Sequence, residues 1–249
     1  MQSNALSKPL IVLAAGSLRN AFVDIIDAFE RQAGSRVQVE HGPAGLLREK
    51  IELGAPFDVF ASANMAHPQR LRGLGLAGPV KRFASNGLCL ISRRQLGMTE
   101  ENMLDVMLDA NVKLGTSTPE VDPSGDYAVQ FFAMVDWLHP GKGARLAAKA
   151  RALIGGRIPV VVPPSYSAAS WLIGQGLADV FISYVSNGRQ CLADQNLRVV
   201  NLPKGIGPIA EYGVALNPDA HEAAQLFHHH LLSPPSQQDL ERQGFLARM

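Results

Sequence analysis

Nowhere in the 249 residues is there an apolar run long enough to cross a bilayer. The run PLIVLAA, Pro9 to Ala15, stands behind Lys8 and imitates a secretory leader poorly. Helical periodicity begins directly after it, so it reads as a buried strand. Charge is also scarce. Charged residues make up 18% of the chain and the formal net charge is +1. That balance offers no basic surface for nucleic acid and no polybasic run for a membrane. Cysteine is reduced to Cys89 and Cys191, with neither CxxC nor metal-ligand spacing. They read as small thiols, buried or semi-exposed, with a disulfide left open for an oxidising compartment.

Several catalytic signatures are missing as well. AAGSLRN is not the G-x-S-x-G of a nucleophile elbow. GPAG has neither the lysine nor the spacing of a P-loop, and no G-x-G-x-x-G follows a strand. The triplet His228 to His230 lies in a helical pattern, where consecutive side chains point in different directions. Structural use therefore outweighs metal ligation. Asp58 and Asp179 begin strands and read as sheet-end carboxylates rather than an acid/base pair. The expectation is a protein that is not an enzyme, uses no cofactor and has no direct metal ligands.

What is present is a packed core, with 47% apolar residues and length for one large domain or two small ones. Phe22, Ile25, Ile26 and Phe29 follow helical spacing behind IVLAA. SRVQVEHG alternates like a half-buried strand, a helix is expected from about Ala44 to Leu53, and FDVFASAN is a third strand. Strand and helix alternate, which predicts an α/β fold with mainly parallel sheets covered by helices. Pro79 to Arg94 is one long extended stretch with a bend at Ser85-Asn86-Gly87, suited to carrying the chain from one lobe to another. A second α/β series follows: a strand in NVKLGTS, a helix in PSGDYAVQFFAMVDWL, a helix in GARLAAKARALI, a strand in IPVVV, a helix in YSAASWLIGQGLA and a strand in DVFISYVS. LRVVNLP and AEYGVAL are late strands, and HEAAQLFHHHLL and PPSQQDLERQGF are terminal helices.

Each half has strand-to-helix junctions built from small residues. They are Ala15-Gly16-Ser17 and Gly42-Pro43-Ala44-Gly45 in the first, and Asp122-Pro123-Ser124-Gly125 and Ser165-Tyr166-Ser167 in the second. A helix start carries unpaired N–H groups and a partial positive charge, and open α/β sheets bind ligands at the carboxyl ends of their strands. Small residues let an anion approach the backbone, and a hydroxyl adds a donor. Ser17, Ser124 and Ser167 are equally good N-caps. The two uses are compatible, and both stay open on the residues alone.

The segments VLAAGSLRNAF, GPAGLLREKIELGAPFDVFASAN, LGTSTPEVDPSGDYA, GLADVFISYVSN and the terminal LERQGF, in this order and spacing, resemble the molybdate-binding proteins of ABC transporters. That family has the two-lobed type II periplasmic-binding-protein fold. The resemblance implies one lobe of residues 1–83 plus 207–249, a second of 84–206, and a hinge and ligand cleft between them. It implies a tetrahedral oxyanion, molybdate or tungstate, held by hydroxyls and backbone N–H groups without a counter-charge, so the metal enters as an oxyanion. The implied ligand positions are Ser17, Ala44, Ser124, Tyr166 and Tyr184, with Gly16, Gly45, Gly125 and Ser167 as further candidates. Ala44 departs from the family, which usually has serine there. A backbone N–H remains, but the hydroxyl is gone. The implied partners are the oxyanion and an ABC permease, with no nucleic acid and no membrane insertion, for a monomer that hands its ligand over. A periplasmic location follows if a leader has been removed, and a cytoplasmic one if none exists. Rival readings are a binding protein for another small anion and a cytoplasmic ligand-sensing domain of the same fold.

Overall fold

The structure, a computed structural model, describes residues 8–158, 160–163, 165–203 and 205–246. The chain forms two compact units, one running up to Ser85 and resuming at Glu211, the other spanning Asn86–Ala210.

The first unit is built on a five-stranded sheet. Its strands are β1 (Leu10–Ala15), β2 (Val37–Gly42), β3 (Val59–Ser62), β4 (Lys81–Asn86) and β10 (Ala210–Leu216), in the order β2-β1-β3-β10-β4. β1 runs parallel to β2 and β3, whereas β10 runs antiparallel to β3. Leu10, Val12, Leu13, Ala14 and Ala15 of β1 are buried, as expected of a central strand covered on both faces. A 3₁₀ turn at Gly16–Leu18 leads into α1 (Arg19–Ala33). Phe22, Ile25 and Phe29 of α1 are buried on one face. Each fully buried side chain of this size is worth ~1.5–3 kcal/mol. Phe29 meets Phe227 edge-on at 5.1 Å, which ties α1 to α9 (Glu222–Leu231). α2 (Ala44–Glu52), α3 (Ala66–Gly73) and α10 (Pro234–Arg242) complete this unit.

The second unit repeats the scheme. β5 (Leu88–Arg93), β6 (Leu114–Ser117), β7 (Arg151–Ile154), β8 (Val180–Tyr184) and β9 (Leu197–Asn201) lie in the order β7-β6-β8-β5-β9. β6 is parallel to β7 and β8, and β5 is antiparallel to β8 and β9. The helices are α4 (Met103–Leu108), α5 (Pro123–Leu138), α6 (Lys142–Lys149), α7 (Ala168–Gly174) and α8 (Val185–Arg189). α5 and α6 approach so closely that a Cβ on Gly143 would lie 2.0 Å from the Phe132 carbonyl oxygen.

The chain adopts the expected α/β fold with helix-covered sheets, but the sheets are mixed: β10 enters the first and β5 the second antiparallel to its neighbours. The long extended stretch is two strands, β4 and β5, separated by Gly87. Three segments differ from the sequence reading. One is Val185-Ser186, which reads as strand and opens α8. GARLAAKARALI is not one helix: Ala150 turns extended (φ −63°, ψ 137°) and Arg151–Ile154 becomes the edge strand β7. Helical propensity in that run yields to pairing with β6. IPVVV forms no strand over its described residues, and Pro159 lies outside them. Among the described residues no helix is long and apolar enough to cross a membrane.

Candidate functional site

In the first unit two of the small-residue junctions come together. Ala15 of β1 pairs with Gly42 of β2, so both strands end side by side. The Gly16–Leu18 turn leaves one strand end, and α2 starts at Ala44 from the other. A Cβ on Gly16 would come within 3.9 Å of the Gly42 carbonyl oxygen. Gly16, Ser17, Ala44 and Gly45 therefore share the carboxyl edge of the sheet. The first amides of α2 have no partner inside the helix and point toward that edge. Pro43 precedes the helix with no side-chain cap, and Ala44 and Gly45 are buried.

Ser17 is half-buried. It is not a helix cap, since Leu18 stands at the N-cap of α1 and makes no side-chain cap bond. The Ser17 hydroxyl instead shares a 2.8 Å hydrogen bond with the phenol of Tyr212, a fully buried residue on β10. At the end of β3, Ser62 donates to Asn64 Oδ1 at 3.1 Å, and Asn64 Oδ1 also accepts the His67 N–H at 3.0 Å. Beside the same edge, His41 packs edge-on to Phe22 at 6.2 Å. Burial first, and Arg19 second, lower its pKa to about 4, so the ring is neutral at pH 7.

In the second unit α5 starts beside the end of β6. Gly125 is required there, because a Cβ would stand 2.5 Å from Pro119 N and from the Thr118 carbonyl carbon. The helix is capped by Asp122, not by Ser124. Asp122 Oδ1 accepts the Ser124 N–H at 3.1 Å. The N–H expected to meet an anion is thus held by a carboxylate. Burial raises the Asp122 pKa to about 6, against the lowering effect of the Ser124 N–H and the Ser117 hydroxyl, with Asp126 adding a further upward push.

Tyr184 ends β8, is buried, and meets Tyr127 of α5 edge-on at 6.3 Å. This contact joins the start of α5 to the end of β8. Tyr166 lies at the approach to α7, half-exposed, with its ring 5.5 Å from that of Trp171 and its N–H given to the Pro163 carbonyl at 3.0 Å. Ser167 is a true N-cap: its hydroxyl oxygen accepts the Ser170 N–H at 3.1 Å. It also lies 3.2 Å from Cys191 Sγ.

Cys89 and Cys191 are free, buried thiols in one core cluster, so the open disulfide option is not taken up. Burial, more than the nearby Cys191, pushes the Cys89 thiol up. Of the three consecutive histidines, His230 bonds the Ile25 carbonyl oxygen at 3.1 Å. Among the described residues no group of three or more His, Cys, Asp or Glu is placed to hold a metal ion.

Sequence reading missed the bonds that Tyr212 and Asp122 make to the candidate residues Ser17 and Ser124. Nothing local marks Tyr212, which meets a serine 195 positions away. Asp122 did carry a signal. Proline fits the first helical position, so Asp122-Pro123 places the cap on the aspartate.

Sheets whose parallel strands end in small-residue helix starts define a ligand-binding α/β protein. Residues 10–246 match the family of bacterial extracellular solute-binding proteins, and the chain belongs to that family. An uncharacterised protein of Pasteurella multocida is 38% identical over 205 residues, which is 82% of this chain and 85% of the relative. A molybdate-binding protein of Azotobacter vinelandii is 31% identical over 124 residues, 49% of each chain. Among solved structures, a periplasmic molybdate-binding protein of the same organism superposes with a TM-score of 0.77 at 20% identity, covering 96% of this chain and 100% of that one. A sulfate-binding protein of Mycobacterium tuberculosis superposes with a TM-score of 0.77 at 17% identity, covering 96% and 86%.

Proposed function

We propose that this solute-binding protein takes a tetrahedral oxyanion, molybdate or tungstate, and delivers it to the permease of an ABC importer on the outer side of the cytoplasmic membrane. The two units are, on this reading, the two lobes of the transport protein. The observation that carries it is the carboxyl edge of the first sheet. There Ser17 and the first residues of α2, Ala44 and Gly45, follow neighbouring strand ends. Neutral donors of this kind suit an anion, because fixed N–H and O–H dipoles replace its hydration shell without a proton transfer. The partial match to a molybdate-binding protein supports the choice of ion. From the second unit, Tyr184 and the start of α5 are the proposed contributors. The Ser124 N–H can serve only if Asp122 releases it. Binding and hand-over involve no chemistry at the ion.

Ala44 favours a second reading, a different small oxyanion such as sulfate, because one side-chain donor is absent from the first unit. One calorimetric titration with molybdate, tungstate, sulfate and phosphate separates the two. Tight binding of molybdate or tungstate over sulfate supports the first, and the reverse order the second. Binding of none of the four sinks both. Ser17→Ala should weaken the preferred ion roughly ten- to a hundredfold, the loss of one hydrogen bond to a charged ligand.

A further inference from the structure

We infer that Tyr212 is a positioning residue of the anion site: its phenol donates to Ser17 Oγ and turns the serine's single proton toward the ligand. This inference rests on the oxyanion reading given above. A serine hydroxyl has one proton and two acceptor sites. Toward an anion only the proton is useful. The 2.8 Å bond between Ser17 Oγ and Tyr212 Oη fills one acceptor site if the phenol is the donor. That direction is the favoured one, because a phenol is a stronger acid than an alcohol. It leaves the Ser17 proton free to point elsewhere. It also polarises the serine O–H, strengthening the donor.

The phenol is held in place for this task. Tyr212 is fully buried on β10. Its ring stands edge-on between Phe83 of β4, at 6.1 Å and 90°, and Phe245, at 5.3 Å and 81°. Phe245 is itself fixed, with its N–H on the Leu240 carbonyl at 3.1 Å. The next residue, Leu246, donates to the Ser85 carbonyl at 2.8 Å. Gly244, at φ +92°, makes the reversal that brings Phe245 back. The C-terminal LERQGF segment thereby acquires a role: it clamps the residue that orients Ser17.

The test is a molybdate titration of four proteins: wild type, Tyr212→Phe, Ser17→Ala and the double variant. Tyr212→Phe should weaken binding roughly three- to tenfold in the wild-type background, the range of one neutral hydrogen bond. In the Ser17→Ala background the same change should cost less than about twofold, which is the ordinary spread of additivity. A purely structural tyrosine would cost the same in both backgrounds, and that result overturns the inference. So does an unchanged affinity of Tyr212→Phe in the wild-type background. Melting without anion checks the fold. Should Tyr212→Phe not fold, Phe245→Leu keeps the phenol and loosens its clamp. It should then show a loss that likewise vanishes beside Ser17→Ala, and a loss that persists overturns the inference. A wild type that binds neither molybdate, tungstate nor sulfate overturns the oxyanion reading and this inference with it. Binding by the wild type with no effect of Tyr212→Phe overturns the inference alone.

Discussion

Asp122 Oδ1 accepts the backbone N–H of Ser124 at 3.1 Å, so the start of α5 already has an anionic partner from its own chain. The geometry is ordinary capping, with Pro123 at the first helical position. The consequence is electrostatic. The Ser124 N–H is already bound by a carboxylate, and burial makes that carboxylate costly to ionise.

Asp122 should therefore give the second unit a pH-dependent stability. Its folded pKa, about 6, lies above the ordinary value of 3.8. The folded state binds the proton more tightly, so stability is greatest below pH 4 and falls as pH rises toward 6. Asp122→Asn keeps an oxygen for the Ser124 N–H and removes the titration. The variant should gain on the wild type between pH 4 and 6, by on the order of 2 kcal/mol at pH 7 after discounting for the part of the residue open to solvent. Melting temperatures of both proteins from pH 4 to 8 check this, and parallel curves would refute it.

The first unit should respond with the opposite sign. Burial, ahead of Arg19 for His41 and of Arg48 for His67, lowers both pKa values from 6.5 to about 4. The folded state then binds the proton less tightly than the unfolded chain. The stability from keeping these rings neutral is present above pH 6.5 and is lost as pH falls toward 4. His41→Gln and His67→Gln should each flatten the acid limb of the melting profile over that window. NMR titration of the imidazoles should find both rings neutral at pH 5. A midpoint near 6.5 for either would contradict its burial.

Two glycines separate packing from binding. At Gly125 a Cβ would meet the backbone of Ser117–Pro119 at 2.5–2.7 Å, and at Gly143 it would meet the Phe132 carbonyl oxygen at 2.0 Å. Backbone cannot yield as a flexible side chain does. Each alanine substitution should cost ~1–3 kcal/mol, with Gly143→Ala at the upper end. Both should lower the melting temperature. Only Gly125→Ala, which displaces the start of α5, should also weaken anion binding when titrated below its melting point.

The legible parts of the fold were those set by local pattern. Phe22, Ile25 and Phe29 fall on one helical face and are buried together. Leu10–Ala15 reads as a covered strand because it is uniformly apolar. Ala150 and Arg151–Ile154 were not legible. Their alanine, leucine and arginine favour helix, and pairing with β6 overrides that preference. Val185 and Ser186 read as the tail of the DVFISYVS strand, but the chain turns helical immediately after Tyr184. At the candidate site, the strand-to-helix junctions are contiguous in sequence and could be seen. The Ser17–Tyr212 bond could not, because the register of β10 beside β3 brings the phenol to that edge and no local spacing encodes it.

Ala44→Ser tests whether the first residue of α2 faces the ligand. Ala44 is 1% exposed and follows Pro43, so a serine hydroxyl there would be enclosed without a side-chain cap to replace. With no anion present, a buried hydroxyl lacking a partner costs ~1–3 kcal/mol. At ~2–4 °C per kcal/mol for a chain of this size, the anion-free variant should melt several degrees below the wild type. With molybdate bound, the hydroxyl has an acceptor and adds one hydrogen bond. Affinity should rise roughly two- to tenfold. The two effects oppose each other in a melt and so identify each other. The anion-free midpoint falls, while the rise on adding saturating molybdate exceeds that of the wild type. A lowered midpoint with an unchanged rise would place the Ala44 side chain against protein rather than ligand. The first unit would then contribute only the α2 amides and Ser17.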